Sequence, residues 1–125
     1  VRVRVRLLQS QLERALKLLP RPLPPDVASI EVVLLDRAAM TQVHGDFLGD
    51  ATVTDVITFP YGEILVCPSV AQDAALALGL KLHEEVLLYI LHGVLHLTGF
   101  DDKEPGAARE MAQAQEELRR RVLAT

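Results

Sequence analysis

Four prolines within six residues, Pro20, Pro22, Pro24 and Pro25, divide the chain. Proline lacks the amide that a helix interior or a central strand requires, so this stretch is a stiff connection between two elements. Before it, Val1, Val3, Val5 and Leu7 alternate with Arg2, Arg4 and Arg6. That period of two predicts a strand over residues 1–7 with one buried face and one guanidinium-lined face. Residues 10–19 then predict a helix, with Leu12, Leu16 and Leu19 on one side.

Beyond the prolines, the apolar stretch 30–35 predicts a strand and 37–47 a helix. Two more strands are expected over 53–59 and 63–67, separated only by Pro60, Tyr61 and Gly62. So short a join implies an antiparallel hairpin. Ser69 to Gln72 has capping-box spacing and predicts the start of a helix ending near Gly79. Residues 83–97 form the longest apolar helix, stopped by Thr98 and Gly99. A last helix over 104–123 carries Ala107, Met111, Ala114, Leu118 and Val122 as an apolar stripe. The order β-α-β-α-β-β-α-α-α implies an α+β fold: one domain over residues 1–125, a small mixed sheet of about four strands packed with about five helices.

Length and composition agree with that class. A chain of 125 residues, 50% of them apolar, can bury a single core and is no disordered tail. No apolar run approaches the ~20 residues of a membrane span, and nothing near Val1 resembles a signal peptide. The lone Cys67 makes no internal disulfide, so a reducing cytoplasm is the expected setting, with no membrane partner.

The net charge of −4 argues against a nucleic-acid partner when taken whole, but it hides a segregation. Residues 1–25 hold six basic residues against one acidic, and 26–118 hold four basic against 16 acidic. Arg119, Arg120 and Arg121 follow. This distribution fits ordinary solubility charge. It also fits a phosphate-facing surface built from Arg2, Arg4, Arg6, Arg14 and Lys17, because a phosphate backbone responds to local cation density.

The segment from His92 to Asp102 carries the chemistry. His92 and His96 stand at i and i+4 of a helix, so their imidazoles project from one face and can share a metal ion. Gly99 allows a left-handed stop that folds the chain back, and Asp102 then falls where a carboxylate could complete the set. Other readings stand beside this one: a histidine pair hydrogen-bonded within a core, and Asp102 as the N-cap of the last helix with Pro105 in its first turn. Gly93 occupies the position at which HExxH peptidases carry their glutamate base, which disfavours ordinary proteolysis. A mid-helix glycine implies close approach on that side, by packed backbone or by substrate.

His92-Gly93-Val94-Leu95-His96-Leu97-Thr98-Gly99-Phe100-Asp101-Asp102 resembles the H-G-x-L-H-L-x-G-[YF]-D-H signature of the YbeY family, bacterial rRNA maturation factors and metal-dependent endoribonucleases. Thr54 to Pro60 resembles that family's TDVLSFP block, and Gly62 to Cys67 its following strand. Met111, Glu116 and Glu117 suit its trailing positions, so the resemblance runs from about Ile30 to the C-terminus. It implies a divalent transition metal, zinc in the first instance, held by three ligands in a cleft between helix and sheet. It also implies single-stranded RNA, specifically rRNA, as substrate, with small-subunit ribosomal proteins as candidate partners.

His92 and His96 match the first two ligands. Asp102 stands where the family has histidine, which implies a His₂Asp set, a less acidic metal-bound water and more tolerance of harder metals. Asp101 matches the family's own aspartate and takes a supporting role. Six residues before Thr54, Leu48 replaces an arginine that can pair with phosphate or stabilise a developing anion, and His44 replaces an asparagine. The nucleophile would be a water on the metal, or the neighbouring 2′-hydroxyl of the RNA. Thr54, Asp55 and His44 are candidate helpers; Thr54 and Asp55 equally fit a hydrogen-bonded pair at a hairpin edge. Cys67 reads as a core residue. Beside the endoribonuclease stands a second reading, a ribosome-assembly binding module with a degenerate metal site. A metallohydrolase for small or peptide substrates is a third.

Overall fold

The computed structural model describes residues 2–50, 52 and 54–124. Its elements run α1 (Val5–Lys17), β1 (Glu31–Leu34), α2 (Arg37–Leu48), β2 (Val56–Phe59), β3 (Glu63–Val66), α3 (Pro68–Leu78), α4 (Leu82–Leu97) and α5 (Pro105–Leu123). The sheet is mixed, in the order β1-β3-β2, with β1 parallel and β2 antiparallel to β3. The α+β class and the five helices are as the sequence implies; among the described residues the sheet has three strands, not four.

The missing strand is the one expected over residues 1–7. Val5, Arg6 and Leu7 are instead the first turn of α1, and residues 2–4 are irregular; Val1 lies outside the described residues. Leu8 and Ala15 are buried, and Leu12 and Leu16 pack beside them against the core shared with α4. Docking that 3.6-period face removes more apolar surface from water than a short, half-exposed edge strand, so tertiary packing overrides the local alternation. The strand expected over 53–59 starts only at Val56, because the Asp55 carboxylate takes the Val56 N–H at 2.7 Å; Val53 lies outside the described residues.

The hairpin forms as expected. Gly62 adopts φ 118°, and a Cβ there would lie 2.3 Å from the Ser29 carbonyl oxygen, so only glycine fits. The capping box does not form. Cys67 is the N-cap of α3, Pro68 already occupies the first turn, and Ser69 Oγ accepts a hydrogen bond from Arg37 Nε at 2.7 Å. Asp102 is likewise no N-cap, since Glu104 holds that place at α5.

The sheet separates two apolar layers. On one side Ile64 and Val66 meet α4, whose Val86, Leu87, Ile90, Leu91, Val94 and Leu95 are buried in the main core. On the other, Ile57, Leu65 and Cys67 pack with Met40 of α2. At Gly93 α4 lies tight against the sheet: a Cβ would lie 2.9 Å from both Thr58 Oγ1 and Ile64 Cγ2. Helix–strand packing therefore accounts for that glycine, and it sets the height of the histidine pair over β2.

Candidate metal centre

His92 and His96 lie on the last two turns of α4, half-buried, beside β2 at the edge of the sheet. Gly99, at φ 101°, turns the chain after α4, and the N–H of Phe100 closes the turn on the Leu95 carbonyl at 3.1 Å. Asp102 returns over the helix. Its Oδ2 lies 3.5 Å from His92 Nε2 and 3.7 Å from His96 Nε2, while the two Nε2 atoms are 3.1 Å apart. Donors bonded to one tetrahedral ion at about 2.0–2.1 Å sit roughly 3.3–3.4 Å from one another, so the three atoms fit the edges of such a site.

The far side of each imidazole fixes its tautomer. His96 Nδ1 donates to the Phe100 carbonyl at 3.0 Å, and His92 Nδ1 donates to Gln115 Oε1 at 2.8 Å. In the neutral rings both protons are thereby held outward, and both Nε2 lone pairs point at the space beside Asp102. This is the arrangement a divalent cation requires. Asp101 supports the turn by accepting the Lys103 N–H at 3.1 Å.

The three groups open into a cleft of about 990 Å³. Thr54, Asp55, His44 and Leu48 all line it, so each candidate helper borders the site. Thr54 and Asp55 also form the hairpin-edge pair, 3.4 Å apart, and the Asp55 carbonyl takes the Cys67 N–H at 2.9 Å. His44 stays outside the three-residue cluster, its Nδ1 donating to the Thr52 carbonyl at 2.9 Å. Tyr89 on the wall donates its hydroxyl to Glu85 at 3.3 Å; burial and the nearby Glu85 and Asp55 push its pKa up, so it stays a neutral donor. Among the described lining residues the cleft carries Asp26, Asp55 and Asp102 but neither lysine nor arginine.

The basic residues lie elsewhere. Arg2, Arg4, Arg6 and Lys17 are exposed at and along α1, and none of them lines the cleft. Arg14 is turned to structure: its Nη2 donates to the Ala124 carbonyl at 2.7 Å and its Nε to that of Arg121 at 3.3 Å, closing the C-terminal end of α5. That contact draws the two basic ends of the chain together. Sequence reasoning missed Gln115 and Arg21. Gln115 had a legible signal, being a polar residue in the middle of the apolar stripe of α5 between Met111 and Leu118.

The molecule is thus an α+β domain in which two histidines one helical turn apart and a carboxylate returned by a glycine turn form a candidate His₂-carboxylate metal site beside an open cleft. Comparison with known proteins gives the family. The family model described as Endoribonuclease YbeY matches residues 2–122, and the chain belongs to that family. The endoribonuclease YbeY of Clavibacter michiganensis subsp. michiganensis is 37% identical, the match covering 75% of this chain and 72% of that protein. That of Renibacterium salmoninarum is 35% identical over 71% of this chain and 68% of its own length. The solution structure of Thermotoga maritima TM1509 aligns with a TM-score of 0.69 at 27% identity, covering 97% of this chain and 89% of that one.

Proposed function

We propose that this protein is a metal-dependent endoribonuclease that cuts single-stranded RNA in rRNA maturation and ribosome quality control, in the cytoplasm. The observation that carries the reading is the convergence of His92 Nε2, His96 Nε2 and Asp102 Oδ2 at the cleft, in a chain of the endoribonuclease YbeY family. These three side chains would hold one divalent transition metal, zinc in the first instance. Such an ion supplies Lewis acidity, polarising a phosphoryl oxygen and making water more acidic. Gln115 and the Phe100 carbonyl orient the imidazoles. Asp55 and Thr54 stand ready to orient water or a ribose hydroxyl, and Tyr89 remains a neutral donor at the wall. Arg2, Arg4, Arg6 and Lys17 would track the RNA backbone outside the cleft, where their charge is unpaired by carboxylates among the described residues. A small-subunit ribosomal protein would be a partner of the same assembly step.

A specific observation favours a second reading, the RNA-binding assembly factor with little catalysis: Leu48 lines the cleft where the family's arginine is expected, and no other lysine or arginine joins it there among the described residues. Cleavage of a single-stranded RNA oligonucleotide by the metal-loaded protein separates the two. Cleavage that is lost in His92→Ala and in the chelated protein, and restored by added metal, supports the enzyme. Intact RNA with fully loaded protein supports the assembly factor.

A further inference from the structure

Arg21 sits inside the proline connection, between Pro20 and Pro22, and makes two contacts remote in sequence. Its guanidinium carbon lies 3.8 Å from the centroid of the Phe100 ring, and its Nη2 forms an ion pair with Glu110. These partners stand on either side of the segment that carries Asp102: Phe100 ends the glycine turn after α4, and Glu110 lies in the second turn of α5. Phe100 is itself buried, its carbonyl receives His96 Nδ1, and its N–H is tied to Leu95. Between the two anchors, residues 101–104 have one internal hydrogen bond among the described residues, the Lys103 N–H to Asp101 Oδ1. The neighbouring prolines fix their own φ angles, so the guanidinium is presented from a stiff backbone.

We propose that Arg21 is a positioning residue of the metal centre: it staples both ends of the 101–104 segment and so holds the Asp102 carboxylate at the histidine pair. The inference rests on the reading of His92, His96 and Asp102 as ligands. An aspartate reaches less far from its backbone than a histidine, so this third ligand works only if its segment is kept close to α4. A cation over the Phe100 ring and an ion pair to α5 supply that restraint from outside the segment.

The test uses the full chain and Co²⁺ as probe, reading the dissociation constant and the visible ligand-field spectrum. Arg21→Ala is expected to weaken Co²⁺ binding roughly 10–100-fold and to alter the spectrum, with native far-UV circular dichroism. Arg21→Lys, which keeps a cation for both partners, is expected to regain most of the affinity. Glu110→Gln releases one anchor and is expected to fall between them. Binding by Arg21→Ala and Glu110→Gln within about twofold of wild type, with an unchanged spectrum, overturns the staple. Should Arg21→Ala fail to fold, Glu110→Gln decides the matter by the same criterion. A wild-type chain that takes up no Co²⁺ removes the ligand set itself, an outcome distinct from wild type and variants binding alike.

Discussion

His92 Nε2 and His96 Nε2 face each other at 3.1 Å, each with its lone pair turned inward because the opposite Nδ1 donates to Gln115 or to Phe100. Two inward lone pairs beside a carboxylate make a donor set suited to one divalent cation. The purified chain is expected to bind about one equivalent of zinc and to melt higher with it. A ligand at 100 times its dissociation constant stabilises the fold by about 2.7 kcal/mol. His96→Ala and Asp102→Ala should lose most of that shift, read by calorimetry and elemental analysis. Full zinc occupancy in Asp102→Ala would remove Asp102 from the ligand set.

Gly93→Ala tests the contact that sets the height of the centre. The added methyl would meet Thr58 Oγ1 and Ile64 Cγ2 at 2.9 Å, and neither is the free end of a long side chain. Overpacking of this kind costs about 1–3 kcal/mol, against the roughly 1 kcal/mol that alanine gains over glycine within a helix. The expected result is a net loss of stability in denaturant unfolding, with metal affinity lowered as α4 shifts away from β2. Unchanged stability would mean that the sheet yields freely at Ile64.

What the sequence makes legible here is local periodicity and turn chemistry. The i, i+4 histidine pair, the glycine turn behind it and the three-residue hairpin join are each written in adjacent residues, and each forms. The strand expected over 1–7 fails because its alternation competes with a helical face whose partner, α4, lies some seventy residues away in sequence. Ser69 fails as a cap for a similar reason: its hydroxyl is claimed by Arg37, from another helix. The candidate ligands are legible and the residues packed behind them are not. Gln115 and Arg21 make contacts 23 and 89 residues apart, which only the packing of α5 against α4 and the proline connection brings about.

His83 gives the fold a pH dependence. Its Nε2 donates to Gln11 Oε1 at 2.7 Å, joining α4 to α1, while its Nδ1 is buried without a partner. Burial, and then the charge of Arg4, hold its pKa below the usual histidine value, with Glu84 opposing in part. The unfolded chain therefore takes up this proton more readily than the folded one. The stability contributed by neutral His83 is complete above the unfolded pKa of about 6.5 and is lost as pH falls from there through the lower folded value. Thermal unfolding midpoints between pH 7.5 and 5 should decline less steeply in His83→Gln than in wild type; parallel curves would deny His83 this role.

The cations at and along α1 divide into two groups. Arg14 is engaged by the carbonyls of Arg121 and Ala124, whereas Arg2, Arg4, Arg6 and Lys17 are exposed and free of carboxylate partners among the described residues. Neutralising Arg2, Arg4 and Arg6 to glutamine should weaken single-stranded RNA binding and flatten its salt dependence, with a loss of roughly 0.7 in log–log slope for each phosphate contact removed. Arg14→Gln should act mainly on stability, by freeing the end of α5. Equal salt slopes for wild type and the triple variant would reduce the charge segregation to surface solubility.

Leu48 stands where the resemblance to the family implies an arginine, a difference that one substitution reverses. It is 58% exposed at the C-terminal end of α2 and lines the cleft beside His44, so a longer polar side chain fits without disturbing the core. The cleft offers three carboxylates and neither lysine nor arginine among its described lining residues, so a phosphodiester entering it finds no cationic side chain there. Leu48→Arg supplies a guanidinium able to pair with phosphate in both ground and transition states. With the metal loaded, the variant should cleave single-stranded RNA several-fold faster than wild type and keep the same zinc affinity, since residue 48 is no member of the His92, His96 and Asp102 cluster. If cleavage is absent in both proteins while both bind zinc and RNA, the assembly-factor reading takes precedence. If Leu48→Arg raises RNA affinity but leaves the rate at saturation unchanged, the missing guanidinium is a binding group only, and the rate must depend on Asp102 and the groups that hold it.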